Sequence, residues 1–318
     1  MSESTPTGTL ISPTLKAGLN ASGSNLHEDL SSLITMVSPA DTPLLSAFKR
    51  GSATQTKHEW IEDVLASPAT NKHLEGSDAI NDALAARTRL DNECQIFRKT
   101  IQVSDTTQAV DVVGVDNEYA YQSQKKLKEL ALDIEYALLV SEKQARSAST
   151  EGELGGVKAA ITTEAWDLEA EPFTEDALND AIEGAWQNGG NVTKVFCSSH
   201  DKRAISGFAG PNSTYRTQPV REDRRLINTV DVYESDFGTV EIHPHRLISY
   251  SDTASKNYLL VLDMQYWTTA WLRPIKHSDL AKTGSSKRGM FEGELTLEAR
   301  AEKASAKVHN YKDAAVAS

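Results

Sequence analysis

The spacing of hydrophobic positions changes several times along the chain, and each change marks an element. In Asn25 to Met36 (NLHEDLSSLITM), Leu26, Leu30, Leu33 and Ile34 recur three and four apart, which predicts one helical face capped by Asn25. Ser38-Pro39 ends that run. Asp41-Thr42-Pro43 opens a second short helix, Leu44 to Phe48, with Pro43 at the first position, where its missing N–H costs nothing. Thr56, His58, Trp60, Glu62 and Val64 then fall on one side of an alternating stretch, a strand. Leu90 to Val103 predicts its return strand, with a slip of phase near Ile96-Phe97 that suggests a bulge. From residue 115 to 146 the period returns to helical. Tyr119, Leu127, Leu130, Ile134, Ala137 and Leu138 lie on one face, with Lys125, Lys126, Lys128 and Glu129 opposite and Asp116 as cap. A helix of about 30 residues spans roughly 45 Å, enough to be a spine for the molecule.

Beyond a flexible stretch, Ser147 to Gly156, helices and strands alternate. Thr174 caps a helix carrying Leu178, Ile182, Ala185 and Trp186, which Gly189-Gly190 ends. Val192 to Cys197 reads as a buried strand, and Ser199 opens a helix to Phe208. Residues 209–228 read as a loop with Arg216, Arg221, Arg224 and Arg225, beside Glu222 and Asp223. A hairpin follows: Val230 to Tyr233, a turn at Ser235 to Gly238, then Thr239 to His243. Tyr258 to Leu262, Tyr266 to Arg273 (ended by Pro274) and Gly293 to Arg300 complete the strands. The fold class is α+β, without an internal repeat.

The block from 51 to 108 stands apart. Its two strands flank a polar, small-residue stretch, Ala66 to Arg89, and carry too little apolar surface to fold alone. Such an arm needs another surface, and the expected one is a neighbouring subunit. Residues 1–25, rich in Ser, Thr, Gly and Pro, read as a second, extended arm.

Composition narrows the function classes. The 318 residues carry a net charge of −12 and no long Lys/Arg run, which argues against DNA binding through phosphate contacts. No apolar run reaches membrane-spanning length. Met1 to Pro13 lacks the basic and apolar regions of a signal peptide, so the chain is expected to stay where it is made. Cys94 and Cys197, far apart and outside any CxxC spacing, read as free thiols.

Candidate chemistry is thin. Ser198, Ser199, His200 and Asp201 sit in a row, but a triad needs side chains that converge, so a Ser-capped helix start is the better reading. His243 and His245 offer two imidazoles without a third ligand at familiar spacing. Lys282 to Lys287 (KTGSSK) lacks the glycine spacing of a phosphate loop. Glu292 and Glu294 read as exposed strand acids. No catalytic, cofactor or metal residue is therefore expected, and no cofactor. A cytosolic hydrolase using Ser199 or His200 with Asp201 is the remote alternative.

Several stretches, taken in order, resemble one family. They are Glu28 to Phe48 (EDLSSLITMVSPADTPLLSAF), His58-Glu59-Trp60, Arg87-Thr88-Arg89, Gln95 to Thr100 (QIFRKT), and Lys128-Glu129-Leu130 with Asp133 to Leu139 (DIEYALL). Val232 to Gly238 (VYESDFG), Trp271 to Pro274 (WLRP), Leu280 to Gly284 (LAKTG) and Gly293 to Glu298 (GELTLE) continue the match. From about residue 26 to 305 the chain resembles the major capsid, or major head, proteins of tailed bacteriophages with the Hong Kong 97-type fold. The resemblance implies an N-terminal arm (1–50), an extended loop (51–108), a peripheral domain with the spine helix (109–165 and 270–318) and an axial domain (166–269). It implies a non-enzymatic subunit that assembles with itself into hexamers and pentamers of an icosahedral head around double-stranded DNA, put together in the host cytoplasm. A portal and possibly decoration proteins are the implied partners. Only about 25 residues precede the first helix, so a separate scaffolding protein is expected as well. Lys57, Asn71 and Lys72 lie in the extended loop, but no Lys–Asn crosslinking pair is identified, and non-covalent contacts are expected. An encapsulin-like nanocompartment shell, of the same fold, is the near alternative.

Overall fold

The computed structural model describes residues 41–78, 86–110, 117–208 and 231–312. The helix at 25–36, the proposed cap Asp116 and the arginine loop at 209–228 lie outside these residues.

Two sheets form the body. The first has four strands: β1 (Lys49–Ser52), β10 (Trp267–Asp279), β11 (Ser286–Ala299) and β4 (Gln95–Ser104), in that order. The second has six, in the order β5 (Ala165–Asp167), β12 (Ala306–His309), β9 (Tyr258–Leu262), β6 (Lys194–Cys197), β8 (Gly238–Pro244) and β7 (Val232–Ser235). The helices are α1 (Pro43–Ala47), α2 (Asp105–Ala109), α3 (Glu118–Val140), α4 (Val157–Ala160), α5 (Glu175–Gln187) and α6 (Ser199–Phe208). Residues 270–318, expected in one unit, contribute β10 and β11 to the first sheet and β12 to the second.

Strand β9 (YLLVL) is buried along its whole length. Its side chains alternate between two cores, as the two-residue period requires. Leu259 and Val261 pack with Leu178, Ile182 and Ile205 of α5 and α6. Tyr258, Leu260 and Leu262 face the other way, into a core with Leu130, Ile134 and Leu138 of the spine helix α3 and with Trp267 and Leu295. One strand thus ties the six-stranded sheet to the spine.

The spine is shorter than the pattern predicts: 23 residues, Glu118–Val140, capped by the Asn117 side chain accepting from the Ala120 amide. At about 1.5 Å per residue this is roughly 35 Å. Past Val140 the chain doubles back, with the Gly156 amide donating to Ser141 O at 2.7 Å. A Cβ on Gly156 would meet Ala137 O at 2.7 Å and Leu138 O at 2.9 Å, so only glycine permits this crossing. Leu127, read as part of the apolar face, is exposed, as is Trp186 on α5.

Two strand boundaries also differ. The return strand is two strands, β3 (Thr88–Glu93) and β4, broken at Cys94 rather than slipped at Ile96-Phe97. Pro274 does not end β10. The strand runs on to Asp279, with register shifts between Trp271 and Arg273 and between Arg273 and Lys276. Strand β1 pairs with β10 only as far as Trp271, so Pro274 sits where the outer edge has no partner strand and its missing N–H breaks no bond.

Candidate assembly surface

β2 (Lys57–Glu62) and β3 form the two-stranded arm, paired from Lys57–Glu93 to Glu62–Thr88. Contrary to the sequence reading, the base of this arm does find an internal surface. Asn92 is buried there; its side-chain amide donates to Gly155 O (3.0 Å) and Leu297 O (2.7 Å), and its carbonyl accepts from the Gly155 amide (2.8 Å). Lys143 holds Asp91 at 2.5 Å, which keeps the Asp91 carboxyl below its usual range. His58 Nε2 lies 3.5 Å from Glu298 on β11. Beyond Glu62 this changes: residues 63–78 are all exposed, Leu65 by 95% and Leu74 by 84%.

The arm leaves the body through a small pivot. Ala53 and Cys94 are buried with Ala270, and the backbone is fixed by Ala53 N–H to Trp271 O (3.0 Å) and Cys94 N–H to Thr56 O (2.8 Å). Beneath them lies Glu294. It was read as an exposed strand acid, yet it is 3% exposed and accepts from Arg146 (2.9 Å) and Arg273 (3.0 Å). Two guanidinium groups compensate the cost of burying its charge. Arg146 also donates to Cys94 O at 2.8 Å, so the same cluster grips the point where the return strand breaks. Glu292 pairs with Arg273 at 2.7 Å.

A second buried cluster joins three parts of the body. Glu135 of the spine, fully buried, accepts from the Leu44 amide (2.7 Å), the Leu45 amide (2.9 Å) and His245 Nε2 (2.8 Å). Those amides belong to the first turn of α1, where helix N–H groups lack intrahelical acceptors. Thr42, before the helix, supplies no side-chain cap, and the spine carboxylate takes that place.

Of the remaining candidates, Ser198, His200 and Asp201 lie together, with His200 Nδ1 3.9 Å from Asp201 Oδ1. Ser198 and Asp201 form a reciprocal helix cap, Asp201 N–H to Ser198 Oγ (3.1 Å) and Ser198 N–H to Asp201 Oδ2 (3.2 Å). Burial raises the Asp201 carboxyl pKa against the hydrogen bond donated by Tyr311 (2.7 Å). His200 stacks on Tyr250 at 4.2 Å between ring centres. His243 and His245 diverge: His243 meets Glu241 (3.1 Å), and His245 faces the spine. No group of three metal-ligating side chains occurs among the described residues. Residues 280–285 form the turn between β10 and β11, where Lys282 pairs with Asp105 (2.5 Å). Cys94 and Cys197 are free and buried, their thiols pushed up to about 11 and about 12 by burial. Lys57 pairs with Glu59 and Asp91, while Asn71 bonds to His73. Arg216, Arg221, Arg224 and Arg225 lie outside the described residues.

The sequence profile of the SU10 major capsid protein family matches residues 6–312. The chain belongs to that family. The major capsid protein of Escherichia phage Phieco32 is 36% identical over 131 residues, a stretch covering 41% of this capsid-family chain and 37% of the relative. Among solved structures, the capsid of cyanophage A-1(L) superposes with a TM-score of 0.67 at 11% identity, covering 96% of this chain and 99% of that one. The capsid of Myoviridae phage XM1 gives 0.61 at 12% identity, covering 89% and 96%. The SrpI encapsulin of Synechococcus elongatus gives 0.58 at 8% identity, covering 94% and 95%. At these identities the superpositions establish the fold, which is the Hong Kong 97-type capsid fold.

Proposed function

We propose that this chain is the shell subunit of a tailed-phage head, in which each copy lays its arm over the next. The observation that carries the reading is the contrast within the arm: a base pinned by Asn92 and Asp91, and a tip, residues 63–78, that is exposed throughout. Such a contact is head-to-tail, so it closes into rings when the rotation fits a hexamer or pentamer. In this reading the four-stranded sheet and spine form the peripheral part, and the six-stranded sheet faces the capsomer centre. The acidic balance suits a wall that encloses double-stranded DNA without gripping it. The subunit carries no enzymatic activity; the engagement of Asp201 by Ser198 and Tyr311 as a buried helix cap supports this. Portal, scaffolding and decoration proteins are the further partners, with assembly in the host cytoplasm.

The encapsulin superposition favours a second reading, a nanocompartment shell, but the matched family and the Phieco32 relative both lie on the phage side. Negative-stain electron microscopy of the protein, expressed alone and with its neighbouring head genes, tests the proposal. Closed shells, tubes or hexameric rings are expected. A dispersed monomer in both preparations would overturn it.

A further inference from the structure

The spine helix is covered unevenly on the side that holds Glu135. One turn beyond Glu135, Leu138 and Leu139 are fully buried where the chain returns through Gly156. One turn before it, Ala131 and Leu132 are half-buried, and a further turn back Leu127 and Lys128 are exposed. These four residues precede Glu135 by four, three, eight and seven positions, so they share its side of the helix. Leu127 and Leu132 join none of the hydrophobic cores among the described residues. Lys128 has no ion pair there, whereas Lys126 is held by Glu129 at 2.6 Å. The spine therefore shows an uncovered two-turn stripe of small and apolar side chains with one unpaired lysine.

The described chain begins at the end of this stripe. Glu135 accepts from the Leu44 and Leu45 amides, and Arg246 holds Asp41 at 2.7 Å. The segment 25–36, which precedes that anchor, repeats Leu26, Leu30, Leu33 and Ile34 on one helical face, with Asp29 at its margin. From Met36 to Asp41 the chain can reach at most about 18 Å. The stripe from Glu135 back to Leu127 is about 12 Å long, and a helix of this segment about 18 Å. The register also agrees. Counted back from Met36 and from Glu135, Leu33 and Leu132 both lie three residues away, and Asp29 and Lys128 both seven.

We propose that residues 25–36 pack as an amphipathic helix along this stripe of their own chain. Leu30 and Leu33 cover Leu127, Ala131 and Leu132, and Asp29 pairs with Lys128. The short connection to Asp41 keeps the segment at high local concentration beside the spine, which favours its own chain over any other occupant. The contact needs no second subunit, so it stands apart from the shell reading. It makes residues 1–24 leave the body beside the N-terminal half of the spine rather than at Asp41.

The test uses the full chain, purified as subunits and oxidised mildly; the native cysteines are buried. Leu33→Cys with Leu132→Cys should form a disulfide within one chain, seen as altered migration at the mass of a single subunit on non-reducing denaturing gels. Leu33→Cys with Asp133→Cys, which places the second thiol on the other side of the spine, should stay reduced. Amide exchange within 26–36 should quicken about threefold in Asp29→Lys and in Lys128→Glu, the range of an exposed ion pair, and return to its original rate in the combined variant. Leu30→Asp, outside every core of the body, should quicken it about tenfold while β9 amides stay protected. A linked band at twice the subunit mass would give the stripe to another copy and overturn the inference. Thiols at 33 and 132 that stay free, equal linkage at 133, or a charge swap that restores nothing would overturn it as well.

Discussion

The six-stranded sheet and the arm are built from the same kinds of residue, yet they solve folding in opposite ways. In the sheet, β9 buries all five side chains, feeding one core with Leu259 and Val261 and the other with Tyr258, Leu260 and Leu262. The arm buries its base alone, and Leu65 and Leu74 stand in solvent. A two-stranded ribbon is marginal by itself, so the body has cores of its own, whereas in the proposed shell the tip gains order from a second chain. A shell subunit needs both properties, a rigid tile and a segment whose stability arrives with assembly.

Breaking the body should cost most. Glu135→Ala leaves His245 and the Leu44 and Leu45 amides buried without their acceptor. The expected loss is about 3–5 kcal/mol, typical of removing one partner of a buried pair, read by denaturant unfolding of the isolated subunit. A loss under about 1 kcal/mol would mean that α1 does not depend on this clasp.

Next comes the pivot. Glu294→Ala frees Arg146 and Arg273, both of which reach solvent, so the expected cost is about 1–3 kcal/mol. Faster amide exchange at Thr56 and Cys94, with β9 unchanged, would localise the effect to the arm.

Acid should sharpen the comparison more gently. The Asp91 carboxyl is held low by Lys143, so its stabilisation is present above the ordinary carboxylate pKa and is lost as pH falls through the folded one. Below about pH 4 the arm base should loosen by less than about 1 kcal/mol, as befits a partly exposed pair. Exchange of the β2 and β3 amides between pH 6 and 3 measures this, and Asp91→Asn should flatten the dependence.

Smallest of all is the tip in isolation. Leu65→Ala should change subunit stability by less than about 0.5 kcal/mol, since no contact is lost. Thermal unfolding of the unassembled subunit checks it.

What the sequence made legible was local. The spine's heptad-like spacing, the Thr174 cap, helix Ser199–Phe208 and strand Tyr258–Leu262 depend on neighbours a few residues away, and their patterns survive folding. What it hid was made by distant partners. Glu135 reads as an ordinary polar helix residue because its acceptor role depends on Leu44 and His245, 91 and 110 positions away. Glu294 looked exposed because Arg146, 148 positions earlier, covers its charge. Strands β5 and β12 are three and four residues long and become strands through distant partners, β5 through β12, 142 positions away from Ala165 to Lys307, and β12 through β9 as well. The spine stops at Val140 because the return of the chain through Gly156 packs across its last turn, a constraint no periodicity carries. Of the candidate assembly surface, the two-stranded arm was readable, while its pinned base was not.

Hydrogen exchange on free subunits and on assembled particles tests the central claim most directly. The account expects residues 63–78 to exchange freely in the subunit and to be protected in particles, with β9 amides protected in both. Free exchange of 63–78 within intact particles, or protection already in the lone subunit, would contradict it.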